Sequence, residues 1–117
     1  MQQPLLKKIA GAAVLACAAF GVHTQANAQE WPSKSVVMEV PYSAGGPTDV
    51  VARMLAIPMG NSLGQTLVVE NTVGAGGTIA PARVARAKND GYTILIHHMG
   101  MATAPSLYKQ LPYDPLK

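Results

Sequence analysis

Residues 35–70 read SVVMEVPYSAGGPTDVVARMLAIPMGNSLGQTLVVE, and the order of patterns in this stretch decides the fold. Residues 35–40 are short, rich in Val and Met, and end at Pro41, which predicts a strand. Residues 42–47 form a glycine-rich loop. From Thr48 the apolar positions Val50, Val51, Met54, Leu55 and Met59 recur at helical spacing and predict an amphipathic helix. Pro58 lies inside it; a proline there lacks the backbone donor, so a kink or an early end is expected. Gly60 and Gly64 close the segment. Residues 66–70 then read as a second strand.

The same unit repeats downstream. Residues 71–77 are a second glycine-rich turn, and residues 78–88 predict a second helix with Pro81 tolerated in its first turn. Asn89-Asp90-Gly91 is a turn. Residues 92–97 predict a third strand whose continuous apolar centre, Ile94-Leu95-Ile96, fits burial on both faces. This β-loop-α-β-loop-α-β order argues for an α/β fold, a parallel sheet with flanking helices. Residues 111–117 read as a loop with no capping element. Three strands make a thin sheet, so the chain is expected to be the opening piece of something longer.

The first 28 residues have another character. Lys7 and Lys8 precede an apolar run over residues 9–20, and Ala26-Asn27-Ala28 is a small-x-small site. This is a secretory signal pattern, with cleavage expected to leave Gln29 first. The run is shorter than the roughly 20 residues of a spanning helix. Removing it takes two of the nine Lys and Arg and none of the six acids, so a net charge of +3 becomes +1. Nothing in that balance calls for nucleic acid or an anionic membrane. The single cysteine, Cys17, lies in the signal, and a poor lipoprotein-type site around it is weighed against the better site at Ala28. Residues 29–117 are left without disulfide or thiolate chemistry.

Two loops carry the chemistry. Ser43-Ala44-Gly45-Gly46-Pro47-Thr48-Asp49 and Gly74-Ala75-Gly76-Gly77-Thr78 each follow a strand and open a helix. In a parallel sheet both fall at the carboxyl ends of strands, where open α/β folds bind ligands. Each fits two roles: a tight turn, or a cradle whose backbone N–H groups and helix dipole favour a carboxylate. Thr78 serves as an N-cap or donates its hydroxyl to a ligand. Asp49 complements the helix dipole, orients its loop, or receives an amino group of a ligand. Nucleotide motifs fail, since Ile79 stands at the third glycine position and no Gly-Lys-Thr or Gly-Lys-Ser occurs. His97 and His98, neighbours in a strand, should face opposite ways and share no metal. Without a Gly-x-Ser-x-Gly elbow or a base for Ser43, hydrolysis is unsupported.

Several motifs occur together in order: Trp31-Pro32-Ser33-Lys34; Gly45-Gly46-Pro47-Thr48-Asp49 with Val51-Ala52-Arg53; Leu63-Gly64-Gln65; Val69-Glu70-Asn71 with Gly74-Ala75-Gly76-Gly77; Asp90-Gly91-Tyr92-Thr93-Ile94-Leu95; and Leu107-Tyr108-Lys109 with Leu111-Pro112-Tyr113-Asp114-Pro115. This resembles the substrate-binding receptors of tripartite tricarboxylate transporters, the Bug-type periplasmic receptors. The resemblance implies a type II-like periplasmic binding fold of two lobes, which needs about 250–300 residues. Residues 29–117 would then be the N-terminal part of lobe 1. It implies a monomer in the periplasm without cofactor or enzymatic activity, which captures a small organic carboxylate and hands it to membrane permease subunits. Carried over residue by residue, the ligand set is Ala44, Gly45, Gly46, Asp49, Gly76, Gly77, Thr78 and His98. His98-Met99-Gly100-Met101 departs from the small, hydroxyl-rich third loop usual in such receptors. The alternatives are an exported hydrolase-like α/β enzyme fragment and a binding protein that feeds a membrane sensor.

Overall fold

The computed structural model describes residues 30–116; the signal-like segment, with Cys17, and residue 117 lie outside the described residues. Strand β1 (Val36–Val40) is central, flanked by β2 (Leu67–Asn71) and β3 (Thr93–Leu95), both parallel to it. Val36 pairs with Leu67 and Val40 with Asn71 on one side; Val37 pairs with Thr93 and Glu39 with Leu95 on the other. Helix α1 (Pro47–Leu63) connects β1 to β2. A 3-10 turn (Ala75–Gly77) and helix α2 (Ile79–Ala85) connect β2 to β3, and α3 (Gly100–Leu107) follows β3.

Alternation along β1 assigns the layers. Val36, Met38 and Val40 are buried with Ala52 and Ala56 of α1 and Leu67 of β2. Glu39 points the other way, where Arg83 of α2 meets it. The sheet is therefore sandwiched between α1 and α2, the parallel arrangement with flanking helices that the sequence predicts.

Helix α1 departs from expectation in two ways. It runs through Pro58 without ending, to a glycine cap at Gly64 in the left-handed region (φ +67°), whose N–H reaches the Gly60 carbonyl. The side it buries is not the apolar stripe picked out in the sequence. Asp49, Ala52 and Ala56 face the sheet, with Met59 and Leu63 partly covered, whereas Val50, Val51, Met54 and Leu55 are exposed. Small side chains at 52 and 56 let the helix lie close on the sheet, and closeness wins over the larger residues' apolar area.

β3 is shorter than expected and half-buried, because among the described residues it pairs only with β1 and forms an edge. α2 ends at Ala85, three residues before the expected Lys88. Helix α3 was not visible in the sequence, since Gly100 and Pro105 interrupt its short apolar pattern.

Candidate functional site

All three connections leaving the carboxyl ends of the strands gather along one edge of the sheet. The first is residues 41–46. Gly45 has φ +79°, with open space where a Cβ would stand, and Gly46 precedes Pro47 at the helix start. The turn closes through Gly46 N–H to the Ser43 carbonyl, 3.1 Å.

Asp49 holds this turn from inside. It is 2 % exposed. Its Oδ2 accepts from Arg53 Nε (2.9 Å) and the Gly45 N–H (2.8 Å), and its Oδ1 accepts from Asn71 Nδ2 (2.9 Å). The same amide donates to the Tyr42 carbonyl (2.9 Å). The Arg53 hydrogen bond first, then those from Gly45 and Asn71, keep the carboxyl well below the usual carboxylate range. Of the three roles open to Asp49, the geometry gives it loop orientation.

The second turn runs from Thr72 to Thr78. Gly76 (φ +63°) and Gly77 (φ +88°) sit in the left-handed region. The sequence left this loop two roles, a tight turn or a backbone cradle for a carboxylate. A Cβ on Gly76 would strike the Tyr108 hydroxyl, and one on Gly77 would lie 2.8 Å from the Tyr42 hydroxyl. The glycines here admit phenols. Thr78 occupies the N-cap position, yet its hydroxyl donates to the Ala75 carbonyl (3.0 Å) within the turn and does not cap the helix start.

Residues on both sides of this turn are tied to Glu39, a fully buried acid that the sequence reading passed over. Thr72 Oγ1 donates to Glu39 Oε2 (2.7 Å), and Arg83 Nη1 stands 3.1 Å from Oε1 as an ion-pair contact that lacks hydrogen-bond alignment. Arg83 also reaches Glu70 (3.2 Å). An acid interrupting a Val/Met strand was the signal available for it.

The third connection overturns the expected divergence of the histidines. The chain leaves strand geometry after Leu95, so alternation no longer applies. The His97 and His98 rings meet edge to face at 5.2 Å, and His98 stacks on Tyr42 at 4.4 Å. The His98 N–H donates to His97 Nδ1 (2.9 Å), which leaves Nε2 to donate to the Gly77 carbonyl (3.3 Å). Gly100 N–H donates to His98 Nδ1 (2.9 Å), leaving His98 Nε2 as a donor.

Tyr42, Gly76, Gly77, Thr78 and His98 therefore come together around one cavity of about 140 Å³, joined by Tyr108 and Tyr113, which the sequence reading did not assign to the site. Ala44, Gly45, Gly46 and Asp49 do not line it; they form the neighbouring first turn. The amides of Gly45, Gly46, Gly77 and Thr78 are consumed internally, contrary to the expectation of free N–H groups there. Those of Ala44 and Gly76 have no protein acceptor among the described residues.

Comparison with known proteins bears on this arrangement. A protein of Agrobacterium vitis, the UPF0065 protein of the TAR-I ttuE-ttuC' intergenic region, is 48% identical over 93 residues, covering 79% of this chain and 27% of the relative. The structure of the periplasmic binding protein BugD superposes with a TM-score of 0.71 at 59% identity, over 73% of this chain and 28% of BugD. MatC from Rhodopseudomonas palustris, solved with bound malate, superposes with a TM-score of 0.72 at 44% identity, over 74% and 30%. The chain thus spans under a third of the length of these proteins, and its sheet is part of a periplasmic binding fold. Residues 51–117 match the tripartite tricarboxylate transporter family receptor. On this evidence the chain belongs to the tripartite tricarboxylate transporter receptor family.

Proposed function

We propose that this chain is part of a periplasmic receptor that captures a small carboxylate-bearing solute at the edge formed by its strand ends and passes it to membrane permease subunits. The observation that carries this reading is that each turn keeps backbone N–H groups with no protein acceptor among the described residues, Ala44 among those of the first and Gly76 among those of the second. Such fixed donors suit an anion, because they need no reorganisation when it arrives. The malate bound to MatC supports a carboxylate as the class of ligand. The function is capture, not chemistry: neither turn places a nucleophile beside a base. Export by the signal pattern of residues 1–28, acting as a monomer in the periplasm, completes the proposal.

Calorimetric titration of the full-length protein against succinate, malate and benzoate, each beside its neutral amide, tests it. At least one acid should bind, and its amide should bind ten-fold or more weakly. Amides binding as well as acids would remove the anion cradle from consideration. Gly77→Val should abolish binding, since its Cβ would displace Tyr42 and its φ of +88° disfavours any side chain.

A further inference from the structure

Three phenols surround the second glycine turn, drawn from distant parts of the chain. Tyr42 follows β1, while Tyr108 and Tyr113 follow α3. All three line the 140 Å³ cavity with His98. The Tyr42 hydroxyl lies over Gly77 and the Tyr108 hydroxyl over Gly76, contacts that a side chain at either position would prevent. The Tyr113 hydroxyl is buried and has no hydrogen-bond partner among the described residues.

An unpaired buried hydroxyl is costly, and proteins rarely retain one without a use. The cavity beside it has room for about four waters or one small polar group, taking about 30 Å³ per water. The surrounding side-chain groups are donors. Each phenol has an O–H to give, and His98 has Nε2–H because its Nδ1 already accepts from Gly100. Burial, then the neighbouring phenols, raise the pKa of Tyr42 and of Tyr113, so both stay protonated and able to donate at neutral pH. No Lys or Arg lines the cavity, so recognition there rests on hydroxyl and imidazole donors.

We propose that Tyr42, Tyr108, Tyr113 and His98 form a hydrogen-bond-donating pocket behind the Ala75–Gly77 turn that seats a carboxylate of the ligand. This rests on the carboxylate-receptor reading and assigns the specificity-determining side chains. The backbone turns supply fixed N–H groups; the phenols supply donors whose spacing selects the shape of the acid. A ligand oxygen completes the hydroxyl of Tyr113.

The test uses full-length protein, with succinate, malate and benzoate as probes, and the variants Tyr42→Phe, Tyr108→Phe and Tyr113→Phe, which remove a hydroxyl and keep the ring. Tyr113→Phe should raise the melting temperature of the ligand-free protein, because an unpaired buried hydroxyl is gone, and should weaken the bound acid about ten- to hundred-fold, the loss of one hydrogen bond to a charged group. That opposite sign is the signature of a ligand-binding hydroxyl; a packing tyrosine would show no such split. Tyr42→Phe and Tyr108→Phe should each weaken the acid ten-fold or more. If all three variants bind within two-fold of wild type while Gly77→Val still abolishes binding, the backbone cradle stands and the phenol pocket is wrong. If wild type binds none of the acids, the receptor reading fails and the pocket with it.

Discussion

Asp49 shows how a single side chain converts a flexible glycine turn into a fixed one. Three donors from three places, Gly45, Arg53 and Asn71, converge on its two oxygens. Each prefers the ionised acid, so its pKa is lower in the folded chain than in the unfolded one. The sign follows by linkage: the stabilisation is fully present above the ordinary carboxylate pKa of about 4 and is lost as pH falls below it. Asp49→Asn should therefore melt at a lower temperature than wild type at pH 7, because its amide turns an N–H group toward other donors. The difference between the two proteins should shrink steadily from pH 4 downward. Melting curves across pH 7 to 3 measure this, and a gap that stays constant with pH would count against the carboxylate's role. The sequence displayed Asp49 as an acid at a helix start, a common feature, but not its partners. Asn71 lies 22 positions away, and only the β1–β2 register brings it in.

Among the elements, α1 carries an internal contradiction, a helix with a proline at its twelfth position. Pro58 leaves a carbonyl one turn earlier without its donor and crowds it. Its side chain is exposed, so nothing in the core depends on the ring. Pro58→Ala should raise stability, by up to about 3 kcal/mol on intrinsic helix preference, measured by denaturant unfolding; an unchanged or lower midpoint would show that the helix needs the ring. The alternation of strands, glycine turns and helices was legible because each β-loop-α unit carries its own local signals. What stayed hidden was set by tertiary contact. The buried side of α1 is chosen by how closely Ala52 and Ala56 approach the sheet, which periodicity cannot weigh against Val50 and Met54. The site was half legible for the same reason. Its glycine turns announced themselves, whereas Tyr42, Tyr108 and Tyr113 look like ordinary aromatic residues until the fold brings them to one cavity.

On the scale of the whole molecule, the signal-like pattern of residues 1–28 and the folded unit lead to separate predictions. A cleaved signal predicts that mass spectrometry of protein recovered from the periplasm finds Gln29 at the N-terminus, whereas an intact Met1 or an acylated Cys17 would refute cleavage at Ala28. The folded unit depends on β2 lying correctly against β1, and here the apolar pattern offers little guidance. Leu67-Val68-Val69 is apolar at every position, so sliding it forward by one residue would still set a valine where Leu67 stands, opposite Val36. The next residues are different. Asn71 satisfies Asp49 and Thr72 satisfies Glu39, two buried acids served by two consecutive side chains. A slip of one position would unseat both at once, taking one hydrogen-bond donor from each of two enclosed carboxylates. The pair works as an error check on assembly: a mispaired strand is rejected by charge where greasy contact would have let it pass, and the two glycine turns come into being only when the check succeeds.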